Sequence, residues 1–519
     1  MATDTNTPET IAFSTDDARI RTLLEQVHTI EDLGALMALA DWDQQTAMPR
    51  GAGEVRTHQA TTLQGILHDR QTDPALGKVL GELEQEVQQP RFSDADRGLV
   101  RQVLRAYQHA VKLPRTLVEE LTRVRSAGFE AWLEARAKDD FAIFAPWLQQ
   151  TITLQREVAD RYGYTETRYD ALLDEYEPDL TSRKVEQLFT PVKEVSTTML
   201  RRIQQSGHTV DRSSLFGNFA PEKQEQLCEQ VLRTMGYDFN RGQLARSEHP
   251  FTTSFGAPDD VRLTARYGAD YLPMSVMAAM HEGGHGLYEQ GIARALVRTP
   301  LASGASLGVH ESQSRLWENA IGRSQAFWQN HYKLLQTAFP EHFSTVTVES
   351  YARALNQVEP SLIRVEADEV TYNLHIVIRF ELEKELINGN LSIESLPGLW
   401  NKKYEEYLNI TPPTAVEGVL QDTHWTFGFG YFPTYTLGNL YAAQIYHTLR
   451  KDFSDFDARL AAGDSSFVLN WLHERLHQYG AVYQPEELIQ RVTGERPDPQ
   501  YFVRYLTEKF EKVYDLPRA

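Results

Sequence analysis

Apolar residues recur at helical spacing along most of the chain. Near its start, one helical face carries Ile20, Leu23, Leu24, Val27, Leu33, Leu36 and Met37. Similar amphipathic patterns fill much of the first 235 residues, and helical patterns resume after residue 267. Residues 1–15 are polar and lack this periodicity, so we expect a disordered N-terminus followed by a mainly α protein.

Helix boundaries can be predicted at several points, and residues 221–236 are the clearest example. Pro221 falls in the first turn and Gly236 supplies the stop signal. The stretch 205–218 is rich in serine and glycine and is the most linker-like part of the chain. We expect it to join two helical lobes of one domain, residues 16–519, because no long flexible linker interrupts the pattern.

A β-hairpin is predicted at residues 251–267. A run from Phe251 to Phe255 is followed by turn-forming residues and then by a strictly alternating run that ends at Tyr267. Positions 261, 263, 265 and 267 are apolar, so Asp260, Arg262 and Thr264 share the other face.

Composition narrows the possible partners and compartment. The 519 residues carry 52 basic and 72 acidic side chains, a formal net charge of −20, with no run of Lys and Arg. Binding to nucleic acid or to an anionic membrane is therefore not expected. One cysteine, Cys228, excludes an intramolecular disulfide, and no apolar run approaches the ~20 residues of a membrane span. Since the N-terminus also lacks a signal-peptide pattern, we predict a cytoplasmic protein.

Residues 281–285, His-Glu-Gly-Gly-His, predict a metal site. Residues four apart lie on one helical face, so His281 and His285 can bind one tetrahedral zinc ion at roughly 2.0–2.1 Å. Glu282 lies beside them, where it can take a proton from the attacking water and pass it to the leaving amine. The alternative is a chance pattern on an ordinary helix, since the chain has 16 histidines.

Two features argue against chance. Gly283 and Gly284 inside a helix cost about 1 kcal/mol each relative to alanine, so another part of the molecule should approach that backbone closely. A candidate third ligand, Glu311, follows His285 by 26 residues and opens another helical segment. That separation leaves room for a turn and a second, antiparallel helix.

Six short motifs occur in order along the chain. They are His249–Phe251, Asp260–Thr264, His281–His285, His310–Gln313, Ile363–Asp368 and Gly418–Trp425. Together with residues 41–49, they resemble the thermostable carboxypeptidase Taq family, the M32 metallocarboxypeptidases. The resemblance runs past residue 440 and therefore covers nearly the whole chain.

The resemblance implies a carboxypeptidase of broad specificity that removes residues one at a time from peptides with a free C-terminus. It implies one Zn²⁺ per chain, for which Co²⁺ can substitute, and a homodimer. The implied fold is a zincin-like helical peptidase with a deep groove and a small β-hairpin or sheet beside the zinc helix. By position, His281, His285 and Glu311 become the ligands and Glu282 the general base.

Two candidate substrate-binding residues precede the zinc helix. His249, before Pro250, either ends a loop or faces the substrate. Arg262 either belongs to a polar ladder on the surface or lies on an edge strand that pairs with extended substrate. We favour the second alternative for Arg262, which predicts that its face of the hairpin points toward the metal.

Arg364 and Asp368 are predicted to share a long helix with Tyr372 and His375. The simplest alternative is an exposed ion pair worth a few tenths of a kcal/mol. A polar stripe of this kind also fits a helix that lines a groove. We therefore predict that Arg364 binds the terminal carboxylate of the substrate and that Asp368 orients its guanidinium.

Residues 421–435 combine polar side chains with a glycine-rich aromatic loop. Much of this segment could be core packing, but such a loop can also place a phenol near a metal. The phenol could hydrogen-bond the developing oxyanion. Tyr435 is the first candidate for this catalytic role and Tyr431 the second, and we assign His424 and Tyr431 to substrate binding.

Two other functions remain open at this point. An endo-acting zinc oligopeptidase would use the same chemistry but would not need a cation for the terminal carboxylate, so Arg364 discriminates between the two. An inactive peptide-binding protein on the same fold would be expected to have lost a ligand or the base. Because Glu282 and all three ligands are present, this last hypothesis is disfavoured.

Overall fold

The computed structural model describes residues 11–518 and confirms the mainly α fold. Most of the predicted disordered segment, residues 1–10, lies outside the described residues. Within the rest of that segment, the Ser14 backbone N–H donates to Asp96 Oδ1 at 3.0 Å. Among residues 11–518, none of the helices combines the length and apolarity that a membrane span requires.

Helices form two stretches of the chain on either side of a short β segment. The helices before this segment are α1 (Ala18–Thr46), α2 (Gly53–Gln71), α3 (Pro74–Glu84), α4 (Asp94–Lys112), α5 (Arg115–Lys138), α6 (Phe141–Tyr162), α7 (Arg168–Leu173), α8 (Ser182–Ser206) and α9 (Pro221–Met235). The predicted boundaries of α9 are confirmed, and Gly236 ends this helix with a left-handed φ of 102°.

The second stretch begins with the helix that carries the histidine pair. Its helices are α10 (Pro273–Gly291), α11 (Leu307–Arg315), α12 (Gln325–Ala338), α13 (Pro340–Phe343), α14 (Val348–Ala354), α15 (Tyr372–Asn388), α16 (Leu396–Leu408), α17 (Pro433–Asp452), α18 (Phe456–Ala461), α19 (Ser466–Arg475), α20 (Pro485–Thr493) and α21 (Gln500–Val513). A π-helical turn, Leu316–Gly322, continues directly from α11.

The predicted hairpin is confirmed, and a third strand joins it. Strand β2 (Thr252–Ser254) pairs antiparallel with β3 (Val261–Ala265). Strand β1 (Gly242–Arg246) was not predicted and pairs parallel with β3, which is central in the order β1-β3-β2. The segment of β1 contains one large apolar residue, Leu244, so it lacks the alternation that identified β3.

The predicted long helix through residues 364–375 is wrong at its start. Arg364–Glu366 form a 3₁₀ turn, and α15 begins only at Tyr372. Asp368 instead accepts hydrogen bonds from the backbone N–H groups of Val370 and Thr371, at 2.9 and 3.0 Å. Aspartate binds the free N–H groups of a turn in this way, so α15 begins after Asp368 and does not run through it.

Helix α10 packs closely on two neighbours, and its glycines make this possible. A Cβ on Gly284 would lie 2.5 Å from the carbonyl oxygen of Gln313 in α11, and one on Gly283 would lie 2.5 Å from Leu232 in α9. The close approach that we inferred from this pair of glycines is therefore confirmed.

A buried carboxyl group lies at the start of α11. Glu177 is 1% exposed, and its side chain accepts hydrogen bonds from the Gly308 N–H and the Ser306 hydroxyl. Burial nevertheless raises the pKa of Glu177 to about 8, because removing a carboxylate from water costs more than these two contacts return. The folded protein therefore holds a proton on Glu177 that the unfolded chain releases near pH 4.3.

This difference predicts a pH-dependent stability. Between about pH 4.3 and pH 8 the native state binds the extra proton, so raising the pH lowers the free energy of unfolding, by at most about 1.4 kcal/mol per pH unit. Glu177→Gln cannot titrate and should gain stability relative to the wild type as the pH rises from 5 to 8. Denaturant unfolding across this range measures the difference.

The exposed Glu84 on α3 supplies the control, Glu84→Gln, which removes one carboxylate without removing a buried one. A constant stability difference between Glu177→Gln and the wild type across this pH range would contradict the prediction.

Candidate metal centre

Three candidate ligand atoms converge between α10 and α11. Glu311 Oε2 lies 3.6 Å from His281 Nε2 and 3.4 Å from His285 Nε2, and all three atoms lie within 4.8 Å of one another. Two ligand atoms held about 2.0–2.1 Å from a tetrahedral ion are roughly 3.3–3.4 Å apart. The two distances from Glu311 are therefore close to those expected around a single metal ion.

Both histidines are oriented by contacts on their other ring nitrogen. His281 Nδ1 lies 2.9 Å from Glu318 Oε2, and His285 Nδ1 lies 2.5 Å from His310 Nδ1. His310 is held in turn by Glu289, at 2.7 Å from its Nε2. Because each Nδ1 is engaged, each Nε2 is directed at the site, as is usual for histidines that bind metals.

The protonation states of His285 and Glu311 also suit a metal. Burial lowers the pKa of His285 to about 3, so its imidazole is neutral at physiological pH. Burial alone would raise the pKa of Glu311, but the charges of Arg315 and His281 and a hydrogen bond from His285 together hold that pKa well below its ordinary value. Neutral histidine and ionised glutamate are the forms that bind metal ions.

Glu282 lies next to the candidate ligands but is held by the sheet. Its Oε2 accepts a hydrogen bond of 2.7 Å from the Thr252 hydroxyl on β2. Burial raises the pKa of Glu282, although the charge of His281 opposes this effect. A buried carboxylate with a raised pKa, positioned beside a metal site, is suited to accept and return a proton.

The hairpin contacts α10 through one face only. Thr252 and Leu263 are paired in register, and a Cβ on Gly286 of α10 would lie 2.8 Å from Leu263 Cδ2. Side chains alternate along a strand, so Arg262 lies on the opposite face. The prediction that the Arg262 face points toward the metal is therefore wrong, because that side of the sheet is occupied by Thr252 and Leu263.

On its own side of the sheet, Arg262 has other partners. Its guanidinium pairs with both oxygens of Asp260, at 2.7 and 2.8 Å, and lies over the rings of Phe255 and Trp42. His249 lies in the connection between β1 and β2 with an exposed side chain.

Arg364 belongs to a buried cluster of charges. Its Nε and Nη2 donate to Asp422 Oδ1 at 3.0 and 2.9 Å, while Arg379 Nε donates to Asp422 Oδ2 at 2.6 Å. The prediction that Asp368 orients Arg364 is thus wrong, because Asp368 instead accepts hydrogen bonds from backbone N–H groups in the turn before α15. One carboxylate faces two guanidinium groups, so these three side chains carry a surplus positive charge.

Aromatic side chains surround this cluster. Arg364 Nη1 donates to the Tyr372 hydroxyl at 3.3 Å, and the guanidinium lies 5.0 Å from the ring centre of Tyr435. The Tyr435 hydroxyl is 3.2 Å from His424 Nε2, and the ring of Tyr431 lies 5.4 Å from that of Tyr435. Burial raises the pKa of both Tyr431 and Tyr435, so their hydroxyls remain available as donors.

Glu383 fixes the aromatic loop that carries Tyr431. Three groups donate to its carboxylate: the Tyr169 hydroxyl at 2.8 Å, Trp425 Nε1 at 2.9 Å and the Gly430 N–H at 3.1 Å. Gly430 has a left-handed φ of 92°, and a Cβ there would lie 2.7 Å from the Leu172 backbone. The loop conformation therefore depends on glycine at this position.

Several residues of the centre were missed by the sequence analysis. Arg315 and Glu318 follow Glu311 at four and seven residues, a helical spacing that could have identified them. Asp422 and Tyr372 lay within segments that we considered, but their contacts with Arg364 join parts of the chain that no local pattern connects.

Comparisons with known proteins agree with this geometry. The family model described as carboxypeptidase Taq (M32) metallopeptidase matches residues 22–510. The chain is 41% identical over 515 residues to thermostable carboxypeptidase 1 of Thermus thermophilus, covering 96% of this chain and 100% of that protein. Identity to carboxypeptidase 1 of Bacillus subtilis is 39% over 484 residues, or 92% and 95% of the two chains.

Solved structures show the same architecture. The crystal structure of the M32 carboxypeptidase from Deinococcus radiodurans superimposes with a TM-score of 0.92 at 36% identity, covering 96% of this chain and all of that one. The apo-Mg structure of the Pyrococcus furiosus carboxypeptidase has a TM-score of 0.91 at 36% identity, covering 95% and 99%.

The contact between α10 and α11 generates a prediction for Gly284→Ala. The added methyl group would overlap the backbone of α11, so the two helices must separate, at a cost of about 1–3 kcal/mol. We expect a lower melting temperature and weaker metal binding. Gly65→Ala on α2 is the control, since a Cβ there meets nothing within 4 Å and alanine should stabilise the helix. Equal changes in melting temperature and metal binding in the two variants would refute the role of Gly284 in the contact between α10 and α11.

Proposed function

Because this chain belongs to the carboxypeptidase Taq (M32) family of metallopeptidases, we propose that it is a zinc enzyme of broad specificity that removes C-terminal residues one at a time. Its class, metallocarboxypeptidase, follows from the family and the named relatives. The observation that carries the zinc mechanism is the convergence of His281, His285 and Glu311 beside Glu282. Two imidazoles, one carboxylate and an open position are the donor set of many catalytic zinc sites.

Glu282 acts as the general base and then as the general acid. A divalent metal at the site, when bound, acidifies water and polarises the carbonyl of the scissile bond. Glu282 takes the proton of the attacking water on its carboxylate and returns it to the leaving amine. The Thr252 hydroxyl holds Glu282 Oε2 at 2.7 Å and so keeps the carboxylate in one orientation.

Arg364 binds the terminal carboxylate of the substrate. The surplus positive charge of Arg364, Arg379 and Asp422 supports this role, since a buried cation needs an anionic partner. Arg379 is completely buried, which leaves Arg364, 6% exposed, as the group within reach of a peptide. A guanidinium offers parallel donors that match a carboxylate, so it also fixes the position of the last peptide bond.

A tyrosine hydroxyl donates a hydrogen bond to the developing oxyanion. We assign this role to Tyr435, with Tyr431 as the alternative, because both hydroxyls remain protonated. The charge of Glu311, a proposed metal ligand, also raises the pKa of both tyrosines. His424, whose pKa burial lowers to about 3, is neutral and holds the Tyr435 hydroxyl. We retain the proposed contact of His249 with substrate. Arg262 and Asp368 are assigned no role in substrate binding, because Arg262 pairs with Asp260 and Asp368 binds the turn before α15.

Peptides with a free C-terminus are the proposed partners, and we retain the homodimer and the cytoplasm as proposals. The dimer rests on the family resemblance. The location is supported by Cys228, which is buried and has no second cysteine in the sequence with which to form a disulfide. Cobalt is expected to replace zinc, since the donor set suits either ion.

Glu282→Gln tests whether Glu282 acts as the general base without binding the metal. The variant keeps the shape of the side chain but cannot accept a proton, so turnover should fall by about 10²-fold or more. Zinc should still bind at one ion per chain, because Glu282 is not a ligand. Elemental analysis and peptide hydrolysis measure the two properties.

The matched variant His285→Ala should lose the zinc itself. Chelation of the wild type should abolish activity, and added zinc or cobalt should restore it. Near-normal turnover of a zinc-loaded Glu282→Gln protein would remove Glu282 from the mechanism.

Arg364→Ala tests exopeptidase action. Losing a charge-assisted contact in a closed site should reduce kcat/KM by roughly 10²-fold on peptides with a free C-terminus. The wild type should hydrolyse C-terminally amidated peptides poorly, and the variant should discriminate much less between acid and amide. Arg364→Lys, which keeps the charge but loses the paired donors, should fall between the two.

Mass analysis of the products from blocked peptides completes the test, since an endopeptidase would cut at internal bonds. A variant that keeps the full preference for the acid would show that Arg364 is only structural.

A further inference from the structure

The side chains behind the ligands form a chain of contacts that returns to the metal site. Glu311 Oε1 accepts from Arg315 Nε at 2.6 Å, and Arg315 Nη1 donates to Glu318 Oε2 at 3.2 Å. The same Glu318 oxygen lies 2.9 Å from His281 Nδ1. Since His281 Nε2 and Glu311 Oε2 are both directed at the metal position, an ion placed there closes the ring.

Charge and burial make this ring rigid. Glu311 and Glu318 are 6% and 8% exposed, and the side chain of Arg315 is 13% exposed. A second guanidinium, Arg323, binds the remaining Glu318 oxygen at 3.0 Å. Two carboxylates are thus balanced by two guanidinium groups, and moving any one of them would leave a buried charge without a partner.

The backbone contributes an unusual turn at the same place. Glu318 lies in the π-helical turn Leu316–Gly322, which continues directly from α11. A π turn closes its hydrogen bonds over one more residue than an α turn, so side chains in it point in directions that a regular helix would not give them. Short π-helical segments are frequent at functional sites, and here the segment carries the group that contacts His281.

We propose that Arg315 and Glu318 are positioning residues that hold two of the three metal ligands, His281 and Glu311, as one unit. Arg315 occupies Glu311 Oε1, so the carboxylate offers only Oε2 to the metal and leaves room for water and substrate. Glu318 fixes the ring orientation of His281. The inference rests on the proposed metal site, and it assigns to these two residues a role in metal affinity rather than in the chemical step.

The ordinary alternative is that Arg315 and Glu318 form a buried ion pair that only stabilises the fold. Zinc affinity separates the two ideas. Competition with a chromophoric chelator gives the zinc dissociation constants of the wild type, Arg315→Met, Glu318→Gln and the double variant, each checked for folding by circular dichroism and thermal melting. Arg202→Met is the matched control, since Arg202 pairs with Glu511 at 2.9 Å between α8 and α21, which carry no proposed ligand.

Each single variant should bind zinc roughly 10- to 100-fold more weakly than the wild type, the range expected when a partner of a metal ligand is lost. The double variant should bind zinc little more weakly than the weaker-binding single variant, because either substitution alone already breaks the ring of contacts. Arg202→Met should keep the wild-type zinc affinity whatever stability it loses.

Several results would overturn the proposal. Wild-type zinc affinity in a folded Arg315→Met or Glu318→Gln would do so, as would fully additive losses in the double variant. If Arg315→Met does not fold, Arg315→Lys replaces it, because lysine keeps the charge but cannot reach both carboxylates. Wild-type zinc affinity in Arg315→Lys would also overturn the proposal. Failure of the wild type itself to bind zinc more tightly than His285→Ala would refute the proposed metal site.

Discussion

The close contact between α10 and α11 at Gly284 is the constraint on which the metal centre depends. Two of the proposed ligands lie on one helix and the third on the other, so the distance between the two backbones sets the distances between the ligand atoms. Helix α11 is also confined from another side, because a Cβ on Gly438 of α17 would lie 2.5 Å from Glu311 Cγ. Glycines on two helices therefore let α11 lie deep enough in the core to place its carboxylate within 3.6 Å of both histidines.

Placing charged groups this deep requires other charged groups around them. Arg315 and His281 lower the pKa of both Glu311 and Glu318, and Arg323 also acts on Glu318, so the pKa of each glutamate lies well below its ordinary value despite burial. The Arg364 cluster is different, since one aspartate serves two arginines there. The first region is electrically balanced before metal and substrate arrive, while the second retains a positive charge that favours an anion.

Local patterns predicted the parts of the site that lie close together in the chain. The spacing of His281 and His285, the glycines between them and the alternation of β3 each express a helix or strand geometry directly. The same logic was wrong at Arg364, because Asp368 binds the N–H groups of a turn and the helix begins only after it. It also gave Arg262 the wrong side of the sheet, since alternation shows which residues share a face but not which face meets α10. Contacts such as Arg364 with Asp422 span 58 residues and depend on how helices pack, which no local signal encodes.

Tyr372 lies between Arg315, beside the proposed metal ligands, and Arg364, the proposed anchor for the substrate, and so bears on where a peptide is cut. Its ring lies 4.4 Å from the Arg315 guanidinium, and its hydroxyl accepts from Arg364. Arg315, which donates to Glu311, and Arg364, proposed to hold the end of the substrate, are thus separated by one rigid aromatic side chain. A flexible spacer would let the peptide slide by a residue or more, whereas a planar ring keeps the anchoring cation at a constant distance from the reacting carbonyl. If Arg364 holds the terminal carboxylate as proposed, the site of cleavage is set by the distance from that carboxylate and not by the size of the residue that is removed.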